Sequence, residues 1–254
     1  MKKKWKIALV SAAVLLIGGA VYCFQFTGLG YRMSVPLRTG FTEPEPNVYM
    51  DAAFQEKCPE ALNLLHEARA RVEAFWKENG ADRLWSDPYI IFSADKGNLQ
   101  KLGGDHDTDY SWFPVHRSYV CVSDEYLNVD IIAHELTHAE FQSRLSRKKL
   151  SAIPSWFDEG LAVQNDYREQ YSEVQWETQT DHGKTALMPD DMDTREEFYA
   201  GEAEDRRFRY MCAAHLIRHW LAAEPEGYLC EMLMHYNDGK VFFPESEAFT
   251  EAGK

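Results

Sequence analysis

The stretch 128-NVDIIAHELTHAEFQSR-144 decides how this chain reads. Ile131, Ile132, Leu136 and, just beyond it, Leu145 recur at helical spacing as a buried stripe, and Asn128 is placed to cap the start. The spacing predicts a helix from Asn128 to about Arg144. His134 and His138 stand four residues apart, so they lie one above the other on one helical face. Two imidazoles so placed can reach one zinc ion from a single helix. Glu135 sits one step round the helix, close enough to contact a water on the metal without being a ligand itself. Zinc lowers the pKa of that water, and the carboxylate takes its proton as it attacks a carbonyl carbon. Three fixed residues of these types arise by chance in about one chain of this length in a hundred. The mid-helix position, directly after an apolar strand, weighs against a surface helix with two incidental histidines.

A catalytic zinc usually has three protein ligands. The compact arrangement, with a third His six residues after the second and a Gly between, fails here because 141 is Phe and 144 is Arg. A carboxylate on a second helix is the other solution, and Glu159 fits it in the first turn of a helix opening at Pro154-Ser155. Ser155 and Asp158 match a capping box. Gly160 beside Glu159 would let the two helices approach closely enough for the carboxylate to reach the metal.

HELTH, 134–138, followed by WFDEGLA, 156–162, resembles the gluzincin metallopeptidases, the clan of aminopeptidase N and thermolysin. The likeness is closest to small single-domain bacterial proteins described as peptidase MA-like. It runs from about Ile90 to the C-terminus, with only these two motifs specific. It implies an α+β zincin-like domain, with a small twisted sheet over the active-site helix and a helical C-terminal half. It also implies that His134, His138 and Glu159 hold one zinc per chain, and that strand 118–122 is the cleft edge where an extended peptide pairs. One departure matters. Thermolysin-like chains carry an Asp four residues after the ligating Glu, and here that position is Val163, so support for the histidines must come from elsewhere. Tyr210 opens 210-YMCAAHLIRHWL-221, which resembles the Tyr-led helix of the group, and is the expected donor to the carbonyl oxygen as it gains charge. Tyr199 and His215 are the other donors in that region. His215 and His219 also stand four apart, but Leu216 follows the first, so they read as helix-surface or core histidines.

The rest of the chain sets the context. Its 254 residues carry a net charge of −14, and without Lys2, Lys3, Lys4 and Lys6 the balance is 23 basic against 41 acidic. So acidic a surface repels phosphate backbones and excludes nucleic acid as a partner. Residues 7–24, IALVSAAVLLIGGAVYCF, follow that basic run without a charge and predict one transmembrane signal-anchor within 1–27. The lysines then stay in the cytoplasm, and the catalytic domain faces the outside of the cytoplasmic membrane. A cleaved signal peptide is the rival reading. Residues 28–56, with Pro36, Pro44 and Pro46, read as a tether, and 57–254 as the peptidase domain. Cys58, Cys121, Cys212 and Cys230 permit two disulfides in three pairings, but a domain large enough not to need staples favours buried free thiols. Helices are expected over 58–79, about 206–223 and 227–236, strands over 89–92 and 118–122, and loops over 103–110 and 178–205.

Together these readings predict a membrane-anchored zinc peptidase. Endopeptidase action is expected, because no GxMEN-type stretch is present to hold a substrate's free amine. The alternative is a non-catalytic zincin-fold protein that docks peptides; Glu135 argues against it, since a scaffold needs no base.

Overall fold

Residues 5, 11–19, 21–22, 27–103, 108–112 and 117–240 are described by the structure, a computed structural model. The segment read as a tether is built into the fold. Strands β1 (Phe41–Glu45) and β2 (Val48–Asp51) form an antiparallel hairpin, with Asn47 at φ 64° in its turn. Asparagine tolerates that left-handed backbone better than most residues. Pro44 is admitted because β1 is an outer strand, where a missing N–H leaves no gap in a ladder. β2 runs parallel to β3 (Tyr89–Ser93), pairing Val48 with Ile90 and Met50 with Phe92. The five-stranded sheet has the order β1-β2-β3-β5-β4, where β4 is Thr108–Trp112 and β5 is Ser118–Ser123. β5 is therefore an inner strand, contrary to its expected place at a cleft edge. The outer position belongs to β4, which starts inside the stretch read as a loop.

The chain divides into two compact units. The first holds β1 to β3, part of β5, and the short helices α1 (Gly28–Ser34) and α3 (Lys96–Lys101). Its polar hub is Asp51, 1% exposed, which accepts from the backbone N–H groups of Phe54 (3.0 Å) and Asp95 (3.1 Å) and ties the end of β2 to the turn after β3.

The second unit is helical: α2 (Cys58–Glu78), α4 (Val129–Ser143), α5 (Arg147–Leu150), α6 (Ser155–Val163), α7 (Glu173–Gln179), α8 (Arg195–Phe198), α9 (Ala203–Ala223) and α10 (Tyr228–Asn237). Phe141 of α4, Phe157 of α6 and Trp220 of α9 pack in series, the first pair tilted and the second edge-on, with ring centroids 5.8 and 5.5 Å apart, and all three are fully buried. Glu140, also of α4, is fully buried. It accepts from the Trp85 and Ser86 N–H groups and pairs with Arg144 at 2.5 Å, so its own charge is compensated. The predicted helices 58–79, 206–223 and 227–236 are all present within a few residues of their expected bounds. The expected loop 178–205 is mostly that, but it contains α8.

The expected membrane anchor is not supported. Among the described residues no helix is long and apolar enough to cross a membrane. The helical run described there, 11–19, spans roughly 14 Å, about half of a bilayer's ~30 Å hydrocarbon core. Residues 7–10, 20 and 23–24 of the predicted span lie outside the described residues. The single-pass extracytoplasmic placement built on that span loses its footing with it. The four cysteines after residue 27 are free thiols, with Cys121, Cys212 and Cys230 buried.

Candidate metal centre

Helix α4 starts where the sequence places it: the Asn128 side chain accepts from Asp130 N–H at 2.7 Å. His134 and His138 leave one face of α4, and Glu159 reaches them from α6. His138 Nε2 lies 3.1 Å from His134 Nε2 and 3.2 Å from Glu159 Oε2, and His134 Nε2 lies 3.4 Å from the same oxygen. All three residues are at least 93% buried. Donors held at 2.0–2.1 Å on a tetrahedral ion are separated from one another by about 3.3 Å. The triangle has that size. Two imidazole nitrogens facing each other at 3.1 Å also need a proton or a metal ion to relieve their repulsion. The cluster can hold a metal ion.

Two carboxylates stand behind the histidines. His138 Nδ1 donates to Asp158 Oδ1 at 2.7 Å, so in the neutral ring the Nε2 lone pair is turned toward the other two ligand atoms. Asp158 also takes Gln142 Nε2 at 3.2 Å. Its predicted place in a capping box with Ser155 is not seen, because Pro154 is the N-cap, with no side-chain cap bond, and the carboxylate serves His138 instead. His134 Nδ1 is buried without a hydrogen bond, and Asp166 Oδ2 lies 3.6 Å from it. Asp166 is fully buried and held by Arg168, whose Nε reaches Oδ1 at 2.8 Å. Asp158 thus supports His138 as Val163 cannot, while Asp166 stands beside His134 beyond hydrogen-bond distance. Neither role has a local sequence pattern: Asp158 was visible only as a helix-start residue, and Asp166 lies in the turn after α6.

The charges agree with a cation site. Burial works against a charged His138, but the Asp158 and Glu159 carboxylates outweigh it and hold its pKa well above the ordinary histidine value. Burial would push the Glu159 carboxyl up, yet His138 and His134 hold it well below the usual range.

The turn after α6 is fixed by polar contacts. Arg71 Nη1 donates to Asn165 O at 2.9 Å and pairs with Asp130, while Asn165 Nδ2 donates to Thr137 Oγ1 at 2.9 Å. Gly160 does allow a close helix approach, but to α9 and not to α4. A Cβ there would stand 2.6 Å from Ala213 O and 2.8 Å from Ile217 Cγ1.

Glu135 is buried at 9% exposure on α4 between the two histidines. The Tyr210 ring centroid lies 6.0 Å from that of His134, so the predicted phenol borders the centre. Tyr199 comes closer: its hydroxyl donates to Glu159 Oε1, the oxygen turned away from the histidines. Tyr199 and Tyr210 pack edge-on, with ring centroids 6.5 Å apart. Burial and the Glu159 charge raise the pKa of both phenols, so both stay protonated as donors. Tyr199 falls in a segment without periodicity. The signal beside it is Thr194-x-x-Glu197, a capping box that does form and starts α8.

A second group of ligand-type atoms, Glu173, His215 and His219, behaves differently. His215 Nδ1 is 2.6 Å from Glu173 Oε1, a direct hydrogen bond and too short for two ligands of one ion. Arg218 takes Oε2 of the same carboxylate at 2.7 Å, and His215 stacks on Trp176 at 3.4 Å. This cluster joins α7 to α9. An open groove of about 400 Å³ is lined by Arg168, Glu169, Gln170, Gln175, Gln179 and Arg207; none of the three ligands lines it. No family model, curated protein or solved structure matches the chain.

Proposed function

We propose that the chain is a zinc-dependent peptidase of the gluzincin type that hydrolyses internal peptide bonds. The observation that carries this reading is the meeting of His134, His138 and Glu159 at one buried point, with Glu135 between the histidines on the same helix. Two imidazoles and one carboxylate suit zinc better than the harder ions. When bound, zinc supplies Lewis acidity, lowering the pKa of a water and polarising a carbonyl.

The remaining chemistry falls to side chains. Glu135 accepts the proton of the attacking water and returns it to the leaving amine. Asp158 keeps His138 in the tautomer whose Nε2 faces the centre. Tyr210, whose ring borders the centre at His134, donates its hydroxyl hydrogen to the carbonyl oxygen as it gains charge. The substrate is a peptide or protein segment, and the absence of a GxMEN-type stretch favours an endopeptidase.

The test is Glu135→Gln in the full chain loaded with zinc, assayed on a peptide library. Turnover should fall at least about a hundredfold with zinc retained, the usual scale for a positioned base. Unchanged turnover would place the base elsewhere. A parent chain that holds zinc and cleaves nothing would favour the non-catalytic peptide-docking alternative.

A further inference from the structure

We propose that Tyr199 is a positioning residue that restricts Glu159 to one-oxygen ligation; this rests on the reading of His134, His138 and Glu159 as a metal centre. The two oxygens of Glu159 have different partners. Oε2 lies 3.2 and 3.4 Å from the two histidine Nε2 atoms, while Oε1 accepts the Tyr199 hydroxyl. A carboxylate beside an ion can bind through one oxygen or through both. With Oε1 bonded to a phenol, two-oxygen binding would forfeit that bond at a carboxylate only 7% exposed, where a lost partner is poorly replaced. One-oxygen ligation leaves a position free for water or substrate, which a catalytic centre requires and a closed structural centre does not.

Tyr199 is itself held in place. The Thr194–Glu197 capping box starts α8, and Phe198, fully buried, packs edge-on against Tyr210 with ring centroids 5.0 Å apart. Arg195 lies over the Tyr199 ring at 5.1 Å. The backbone just before α6 is tied to the same segment, since Ser155 N–H donates to Asp193 O at 2.8 Å. The segment between α7 and α9 therefore presents a phenol to the ligand helix from a fixed frame.

The geometry separates the two tyrosines by function. Tyr199 acts on the ligand, so its loss should change how the metal is held. Tyr210 meets the centre by ring packing, 6.0 Å from His134, with no hydrogen bond to Glu159, so its loss should change turnover and leave the metal alone.

The test is Tyr199→Phe in the full chain, which removes one hydroxyl and keeps the ring packing, with Tyr210→Phe beside it. The readouts are zinc affinity by chelator competition and the visible absorption of the cobalt(II)-substituted protein, whose intensity falls as coordination number rises. Tyr199→Phe should weaken zinc by about 10- to 100-fold, the usual effect of removing a ligand's hydrogen-bond partner, and should lower the cobalt absorption. Tyr210→Phe should leave both within about twofold of the parent, far inside that range. A Tyr199→Phe protein with the parent's zinc affinity and cobalt spectrum overturns the proposal, as does an equal metal effect from Tyr210→Phe. Should Tyr199→Phe not fold, 3-fluorotyrosine at position 199 carries the test. Its fluorine resonance should shift with stoichiometric metal, and an unmoved resonance counts against the role. A parent chain that binds neither ion defeats the metal-centre reading itself, which is a distinguishable result.

Discussion

Gly160→Ala tests the packing that brings Glu159 to the histidines. The new methyl would sit 2.6 Å from Ala213 O and 2.8 Å from Ile217 Cγ1, both on α9. Ordinary carbon contacts lie near 3.5–4.0 Å, so α6 and α9 must part by about 1 Å. The oxygen is backbone inside a helix and cannot swing aside. Overpacking of this kind costs about 1–3 kcal/mol. Against it, alanine favours the helix over glycine by about 0.5–1 kcal/mol. The clash wins, and a net loss of about 0.5–2 kcal/mol should lower Tm by a few degrees, taking about 2–4 °C per kcal/mol for a domain of this size. The larger effect should fall on the metal. Glu159 is the adjacent residue, and a shift of about 1 Å exceeds the tolerance of about 0.2 Å in ligand distance. Thermal melting of the metal-free chain and zinc titration of the folded variant give the two readouts. A variant that melts at or above the parent and binds zinc equally well would refute the tight α6–α9 contact.

Asp158→Asn should weaken zinc binding by about 10- to 100-fold without unfolding the chain, since it removes the carboxylate behind His138; isothermal titration with zinc checks this, and unchanged affinity would mean that Asp158 does not tune the centre. Glu173 provides a pH signature away from the metal. Burial raises its carboxyl, but the His215 charge, with His219 and Arg218, holds it below the ordinary value. Its folded pKa is then lower than the unfolded value of about 4.3, so its contribution to stability is complete above about pH 5 and is lost as pH falls through the folded pKa. Glu173→Gln should therefore destabilise the chain at pH 6 in urea unfolding, and the gap to the parent should close as pH falls through the folded pKa. A gap that stays constant with pH would contradict the pairing.

Local patterns made part of this structure legible and left the rest hidden. Helix α4 and its Asn128 cap follow from short-range periodicity, so they read directly from sequence. Glu159 was found because its helix carries a recognisable motif. Asp158, Asp166 and Tyr199 were not assigned their partners, because each meets the centre through tertiary packing that no spacing encodes. Asp158 shows the conflict plainly. Its spacing from Ser155 suits a cap, but the deeper interaction with His138 takes the carboxylate. Pro44 and Pro46 suggested a tether because proline breaks most strands, yet an outer strand and a hairpin turn accommodate both. The apolar run 7–24 has the composition of a membrane span, but the helical residues described within it do not reach the required length.

The proposed chemistry depends on a three-ligand metal centre. Its most direct test is the metal-to-protein ratio of the full chain, measured by inductively coupled plasma mass spectrometry after zinc loading and gel filtration. The parent should carry about one zinc per chain, and His138→Ala, folded by circular dichroism, should carry almost none. A His138→Ala protein that retains zinc at the parent's ratio would contradict the assignment of His134, His138 and Glu159 as the ligands.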